Sequence, residues 1–147
     1  MLENSVNGTV VGITAFASDA DGTDTVSYSL DDTASGRFAI DGVTGIVTVA
    51  GAIDREAAGA YNITVRATST DTSTVTRVFT ITIGDVNEFA VTAPADTDAS
   101  VNAVNENAAN GTAVGITASA SDADATTNAI TYSLTDNAGG RFGINAT

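Results

Sequence analysis

Cysteine, histidine, tryptophan and lysine are all missing from this 147-residue chain, and there is one proline. Without cysteine there are no disulfides and no thiolate metal sites. Without histidine the commonest transition-metal ligand and the commonest general base are gone, which excludes zinc chemistry of the usual kind. Serine and threonine are plentiful, but a nucleophilic hydroxyl needs a base beside it, and neither histidine nor lysine is available to act as one. Positive charge is almost as scarce: five arginines face 18 acidic residues, for a net charge of -13. Such a surface repels nucleic acid and anionic membranes, both of which are held through lysine and arginine. No apolar run approaches the roughly 20 residues needed to cross a bilayer, and Met1-Leu2-Glu3 does not open a signal peptide.

What is abundant is alanine, valine, isoleucine and threonine, with 43% hydrophobic residues overall, enough apolar surface to build a core despite the acidity. These residues fall in short alternating segments separated by Gly, Asp and Asn clusters, with no extended helical period. Val11, Ile13, Ala15 and Ala17 share one parity, as do Val26, Tyr28 and Leu30. Phe38 and Ile40, the run Ile46 to Val49, the series Tyr61, Ile63, Val65, Ala67, and Phe79, Ile81, Ile83 follow. Alternation of this kind gives each strand one buried and one solvated face. The reading is an all-β protein, a seven-stranded Greek-key β-sandwich of immunoglobulin-like type.

The chain also repeats itself. Glu3-Asn4 returns as Glu106-Asn107, a period of 103, and Asn7-Gly8-Thr9 as Asn110-Gly111-Thr112. Asp19-Ala20-Asp21 returns as Asp122-Ala123-Asp124, Tyr28-Ser29-Leu30 as Tyr132-Ser133-Leu134, and Gly36-Arg37-Phe38 as Gly140-Arg141-Phe142. A period of that size is one small domain per copy. The expected organisation is a first repeat over residues 1–92, a linker over 93–105 around Pro94, and the N-terminal half of a second repeat over 106–147. Half a sandwich exposes sheet edges, so the second copy is expected to be poorly ordered or to borrow strands from a neighbouring molecule.

Five acidic clusters sit at strand ends and turns: Glu3-Asn4, Asp19-Ala20-Asp21, Asp54-Arg55-Glu56, Asp85-Val86-Asn87-Glu88 and Asp122-Ala123-Asp124. Gathered carboxylates repel unless a hard cation accepts their oxygens, and calcium takes six to eight oxygen ligands. In extended chain, side chains two residues apart point the same way, so Asp54 and Glu56 are expected to share ions. An EF-hand is not the source of this acidity, because Asp24 stands where its glycine is required and Leu30 where its terminal glutamate is. A glycosidase pair is excluded as well, since two carboxylates so close on one strand do not straddle a sugar. The sequons at Asn7, Asn62, Asn110 and Asn145 are attributed to chance in a threonine-rich chain. Tyr28 and Tyr132 are read as packing residues, and Phe89 as either a wedge between repeats or an exposed aromatic.

In the order Glu-Asn, Asp-Ala-Asp, Asp-Arg-Glu, Asp-Val-Asn-Glu, the chain resembles the calcium-binding signature of the cadherin family. Ile53-Asp54-Arg55-Glu56 followed by Tyr61-Asn62-Ile63-Thr64-Val65-Arg66-Ala67 is similar to that family's middle motif and following strand. The resemblance implies Ca2+ at the junction between repeats, held by Glu3, Asp54, Glu56, Asn87 and Glu88 with Asp122 and Asp124, and by the carbonyls of Val86 and Phe89. It implies Asp19, Asp21 and Asp71 for an upstream junction, with Ser69 standing where the family has an aspartate. The linker departs from the family's Asp-x-Asn-Asp-Asn at Glu88 and Phe89, which puts one of the two or three ions in doubt.

The function implied is non-enzymatic: a calcium-binding module of a large cell-surface or secreted adhesin, whose partners are the neighbouring repeats. The absent cysteines and near-identical Ala/Thr/Asp-rich copies point to a bacterial surface. A polysaccharide-binding sandwich with structural calcium is the alternative, and homophilic adhesion in the animal manner would need a docking arm, for which there is no tryptophan.

Overall fold

The computed structural model describes residues 1–147 and divides into two compact units, Met1–Val86 and Asn87–Thr147. There is no helix long and apolar enough to cross a membrane.

Unit 1 contains six strands: β1 (Val10–Thr14), β2 (Val26–Asp32), β3 (Phe38–Ile40), β4 (Ile46–Val49), β5 (Ala60–Ser69) and β6 (Thr74–Thr82). They form two antiparallel three-stranded sheets in the orders β1-β4-β3 and β2-β5-β6, arranged as a sandwich. Six strands stand where seven are expected from the spacing. Past the end of β6, Leu2 makes a single parallel bridge to Gly84, and Asn4 follows it at φ 53°.

The alternation read from the sequence is what builds the core. Ile63, Val65 and Ala67 of β5 face inward with Ile81 of β6 and Ile83 just past it, in one core with Phe38 of β3 and Val47 and Val49 of β4. Val47 and Ile63 are wholly buried. The intervening β5 residues Asn62, Thr64, Arg66 and Thr68 pair with Thr80, Val78, Thr76 and Thr74 on the outer face, where Arg66 bonds Asp31 in a bidentate pair. Burying a Val or Ile side chain contributes roughly 1.5–3 kcal/mol, so the inward row dominates the stability of the unit.

One glycine in this core is irreplaceable for steric reasons. Gly45, at φ 70°, opens β4 and accepts the Ala15 N–H at 2.8 Å; a Cβ placed on it would lie 2.4 Å from the Ala15 carbonyl oxygen. Gly45→Ala therefore meets both a left-handed backbone and a clash with main chain that has little freedom to move. We expect a loss of about 2 kcal/mol, measured by urea unfolding of the variant against the parent chain.

Unit 2 has two short strands, β7 (Ala95–Asp96) and β8 (Ala118–Ser119), which pair antiparallel. Residues 93–105, expected as a linker, thus contribute β7 to this unit. Its local conformations duplicate those of unit 1 at the repeat offset. Asn107 has φ 59° where Asn4 has 53°, and Gly111 has 87° where Gly8 has 90°. The Tyr132 hydroxyl accepts the Ala120 N–H at 3.1 Å as Tyr28 accepts that of Ala17 at 3.0 Å, so the two tyrosines anchor main chain as well as pack.

Candidate metal centres

Glu3 organises the first acidic group. Its carboxylate is 3% exposed and accepts the N–H of Arg55 through Oε2 (2.5 Å) and that of Val86 through Oε1 (2.8 Å). Backbone bonds from Glu3 N–H to Gly84 O and from Asn4 N–H to Ile53 O hold the same residues in place, with Ile53 buried beneath. One side chain thereby ties the Asp54-Arg55-Glu56 segment to the chain leaving β6. A carboxylate oxygen from each of Glu3, Asp54 and Glu56 lies within 4.8 Å of the others. The segment is a turn rather than the extended chain expected: Asp54 Oδ1 accepts the Ala57 N–H and Asp54 O accepts that of Ala58. The convergence of Asp54 and Glu56 comes from that turn, not from strand alternation.

A second group joins Asp19, Asp21 and Asp24, again with carboxylate oxygens within 4.8 Å. Asp19 Oδ1 accepts the Asp21 N–H, and Asp24 N–H bonds Asp21 O across the turn at Gly22. Asp24 Oδ1 accepts the Thr70 hydroxyl at 2.7 Å. The motif reading omits Asp24; the signal that finds it is the Asp-Gly-Thr-Asp turn, which folds the third acid back on the first two. Asp71 is outside this group. Its Oδ1 accepts the Ser73 N–H at 2.8 Å, and that backbone bond is the main cause holding its carboxyl below the usual carboxylate range.

In unit 2, Asp122 and Asp124 repeat the local geometry of Asp19 and Asp21, with Asp122 Oδ1 accepting the Asp124 N–H. Asp124 is 1% exposed, and its Oδ1 accepts the N–H groups of Glu88 (2.9 Å) and Phe89 (3.3 Å). Its Oδ2 is buried with no hydrogen-bond donor. Asn87 donates from Nδ2 to the Thr127 hydroxyl at 3.3 Å, while the Glu88 and Phe89 side chains are exposed.

A buried carboxylate oxygen without a donor is costly, and a cation is the partner that would satisfy it. Every candidate ligand in these groups is an oxygen, the donor set of calcium and magnesium rather than of zinc or copper. The residues present thus fit a hard divalent ion. Preorganisation differs among them: Glu3 and Asp124 are fixed by two backbone donors each, whereas Asp54 and Glu56 project from an exposed turn.

The Cadherin domain model matches residues 1–84. Protocadherin Fat 4 of Homo sapiens is 42% identical over 96 residues, covering 59% of this chain and 2% of that protein. Protocadherin Fat 2 of Rattus norvegicus is 34% identical over 140 residues, covering 94% and 3%. Among solved structures, mouse Cadherin-23 EC22-24 superposes with a TM-score of 0.67 at 28% identity, covering 99% of this chain and 47% of that one. The chain therefore spans 2–3% of the two protocadherins and about half of the solved fragment; these relatives are extracellular, cell-surface adhesion proteins whose domains are structural modules. With the family model covering all six strands of unit 1 and the clamp built on Glu3, the chain belongs to the cadherin family.

Proposed function

We propose that this chain is a calcium-binding module of a large adhesin on an extracellular surface, one that carries its repeats in tandem. Calcium at the boundaries between repeats would stiffen the array for cell adhesion. The observation that carries the reading is the group of Glu3, Asp54 and Glu56, three carboxylates brought within 4.8 Å by a buried glutamate that already spends both oxygens on backbone donors. A family whose domains bind calcium and a net charge of -13 point the same way.

On this reading Glu3, Asp54 and Glu56, the Val86 carbonyl and the side chains of Asn87 and Glu88 hold ions together with Asp122 and Asp124. Asp19 and Asp21, with Asp71, belong to the corresponding site at the opposite end of the repeat. Each ion adds positive charge where carboxylates crowd, and stability becomes linked to free calcium through mass action. Extracellular modules of this sort are tuned to roughly 10⁻⁴ to 10⁻³ M. A bacterial cell surface is the setting proposed, supported by the absence of cysteine and by the near-identity of the two copies.

Calorimetric titration with CaCl2 tests it. The parent chain is expected to give saturable heat with dissociation constants of roughly 10⁻⁴ to 10⁻³ M, and Asp54→Ala with Glu56→Ala to weaken binding about tenfold or more, since two of the anionic ligands are gone. Identical isotherms for the two proteins would reduce the acidic turns to solvated surface.

A further inference from the structure

The connection between β1 and β2, residues 15–25, carries three acids that the two copies do not share equally. Asp19, Asp21 and Asp24 bring carboxylate oxygens within 4.8 Å of one another. At the repeat offset of 103, Asp19 and Asp21 correspond to Asp122 and Asp124, but Asp24 corresponds to Thr127. The third acid belongs to unit 1 alone. It is also held in place: Asp24 N–H donates to Asp21 O at 3.0 Å, and Asp24 Oδ1 accepts the hydroxyl of Thr70, in the turn between β5 and β6, at 2.7 Å. The same hydroxyl accepts the Thr25 N–H at 3.3 Å.

A separate observation beside this loop points to a ligand. Ser69 continues the inward row of Ile63, Val65 and Ala67 at the end of β5 and is 7% exposed, yet its Oγ has no hydrogen-bond partner. With Asp19, Ser18 and Ser73 it lines a cavity of about 120 Å³. A buried hydroxyl left unpaired is unfavourable. Since water occupies about 30 Å³ in the liquid, the cavity has room for an ion with part of its hydration shell.

We propose, building on the calcium reading above, that Asp19, Asp21 and Asp24 hold a calcium ion within unit 1 using no residue of another repeat, and that Asp24 takes the third place that the resemblance gives to Asp71. Three carboxylates from one loop more than neutralise the ion, and waters, with the Ser69 hydroxyl as their buried partner, complete its about six to eight oxygens. Ligands on an irregular loop suit the adaptable coordination of calcium better than the strict octahedron of magnesium. Asp71 lies outside the group, its Oδ1 engaged by the Ser73 N–H. Because Asp24 is tied to Thr70, an ion bound to it pins the β1–β2 connection to the β5–β6 turn, and the order of that connection follows free calcium.

Titration of the full chain with CaCl2, followed by amide NMR, reads each acidic group through its own backbone. The Gly22 and Asp24 amides of the parent are expected to shift saturably, with a dissociation constant on the order of 10⁻³ M. Asp24→Asn keeps an acceptor for the Thr70 hydroxyl and removes only the charge, so it should weaken the binding read at Gly22 about tenfold, affinity following ligand charge. Asp71→Asn removes the same charge one residue from Thr70 and should leave the Gly22 response unchanged. In both variants the amides of Arg55 and Val86, which bond Glu3, and of Glu88 and Phe89, which bond Asp124, should respond as in the parent. Absence of a saturable shift at Gly22 and Asp24, unchanged affinity in Asp24→Asn, or an equal loss in Asp71→Asn would overturn the proposal. Failure of the calcium reading at Glu3 and Asp124 would show separately, as amides of Arg55, Val86, Glu88 and Phe89 that do not respond to calcium.

Discussion

Glu3→Ala is expected to lower the melting temperature of unit 1 by about 15 °C in the presence of chelator. Glu3 is the buried acceptor for two main-chain donors, Arg55 N–H and Val86 N–H, that belong to segments 52 and 83 residues away in sequence. Removing it strands both. A buried N–H left without an acceptor costs about 1–3 kcal/mol, so the pair amounts to about 3 kcal/mol, and in a domain of this size each kcal/mol moves the midpoint by about 4–8 °C. Glu3→Gln retains one acceptor oxygen and should lose about half as much, while its amide nitrogen faces a donor it cannot accept. Differential scanning calorimetry in EDTA separates this structural role from metal binding. A fall of less than about 3 °C for Glu3→Ala, under 1 kcal/mol on the same scale, would mean that the two amides find other partners and that the clamp is dispensable.

That double role was not legible in the sequence. Glu-Asn at the head of each copy marks Glu3 as a ligand, but nothing local says that its oxygens already bridge two distant amides, because the contacts depend on where β6 returns the chain. The local parts were legible for the same reason in reverse. Ile63, Val65 and Ala67 declare their face by parity alone, and all three are buried; the outward Thr64, Arg66 and Thr68 alternate with them. The recurrence of Asn4 at Asn107 and Gly8 at Gly111 carries matching left-handed backbone, since Asn and Gly are the residues that enter that region at low cost.

Where parity failed, a missing neighbour or a turn was responsible. Val75 pairs with the buried Ala67, on the inward row of β6, yet is 63% exposed. Periodicity reports which way a side chain points, not whether another sheet reaches that far. Asp24 joins Asp19 and Asp21 through a glycine turn, which a motif confined to Asp-x-Asp does not include. Asp54 and Glu56 converge for a reason different from the one their spacing suggests, a turn capped by the Asp54 carboxylate in place of an extended strand.

Asp124→Asn should change stability in opposite directions with and without calcium. The asparagine Oδ1 can still accept from Glu88 N–H and Phe89 N–H, so the segment after Val86 keeps both of its bonds, while the buried, donorless Oδ2 and its negative charge are replaced by a neutral amide. In chelator the variant is expected to equal or exceed the parent by about 1 kcal/mol, because a buried negative charge without a donor on Oδ2 has been replaced by a neutral amide. In calcium the order reverses. An anionic oxygen poised for a cation has been lost, and a tenfold weaker affinity is worth about 1.4 kcal/mol. At calcium one hundred times the parent's dissociation constant, the parent gains about 2.7 kcal/mol from the ion, so the variant's gain should be roughly halved. Melting curves with and without CaCl2 give both signs in one experiment, and amide hydrogen exchange at Glu88 and Phe89 shows whether the backbone bonds survived. If the variant is destabilised in chelator while those amides stay protected, Oδ2 has a partner without the ion. If the gain from calcium is unchanged, Asp124 is not among its ligands.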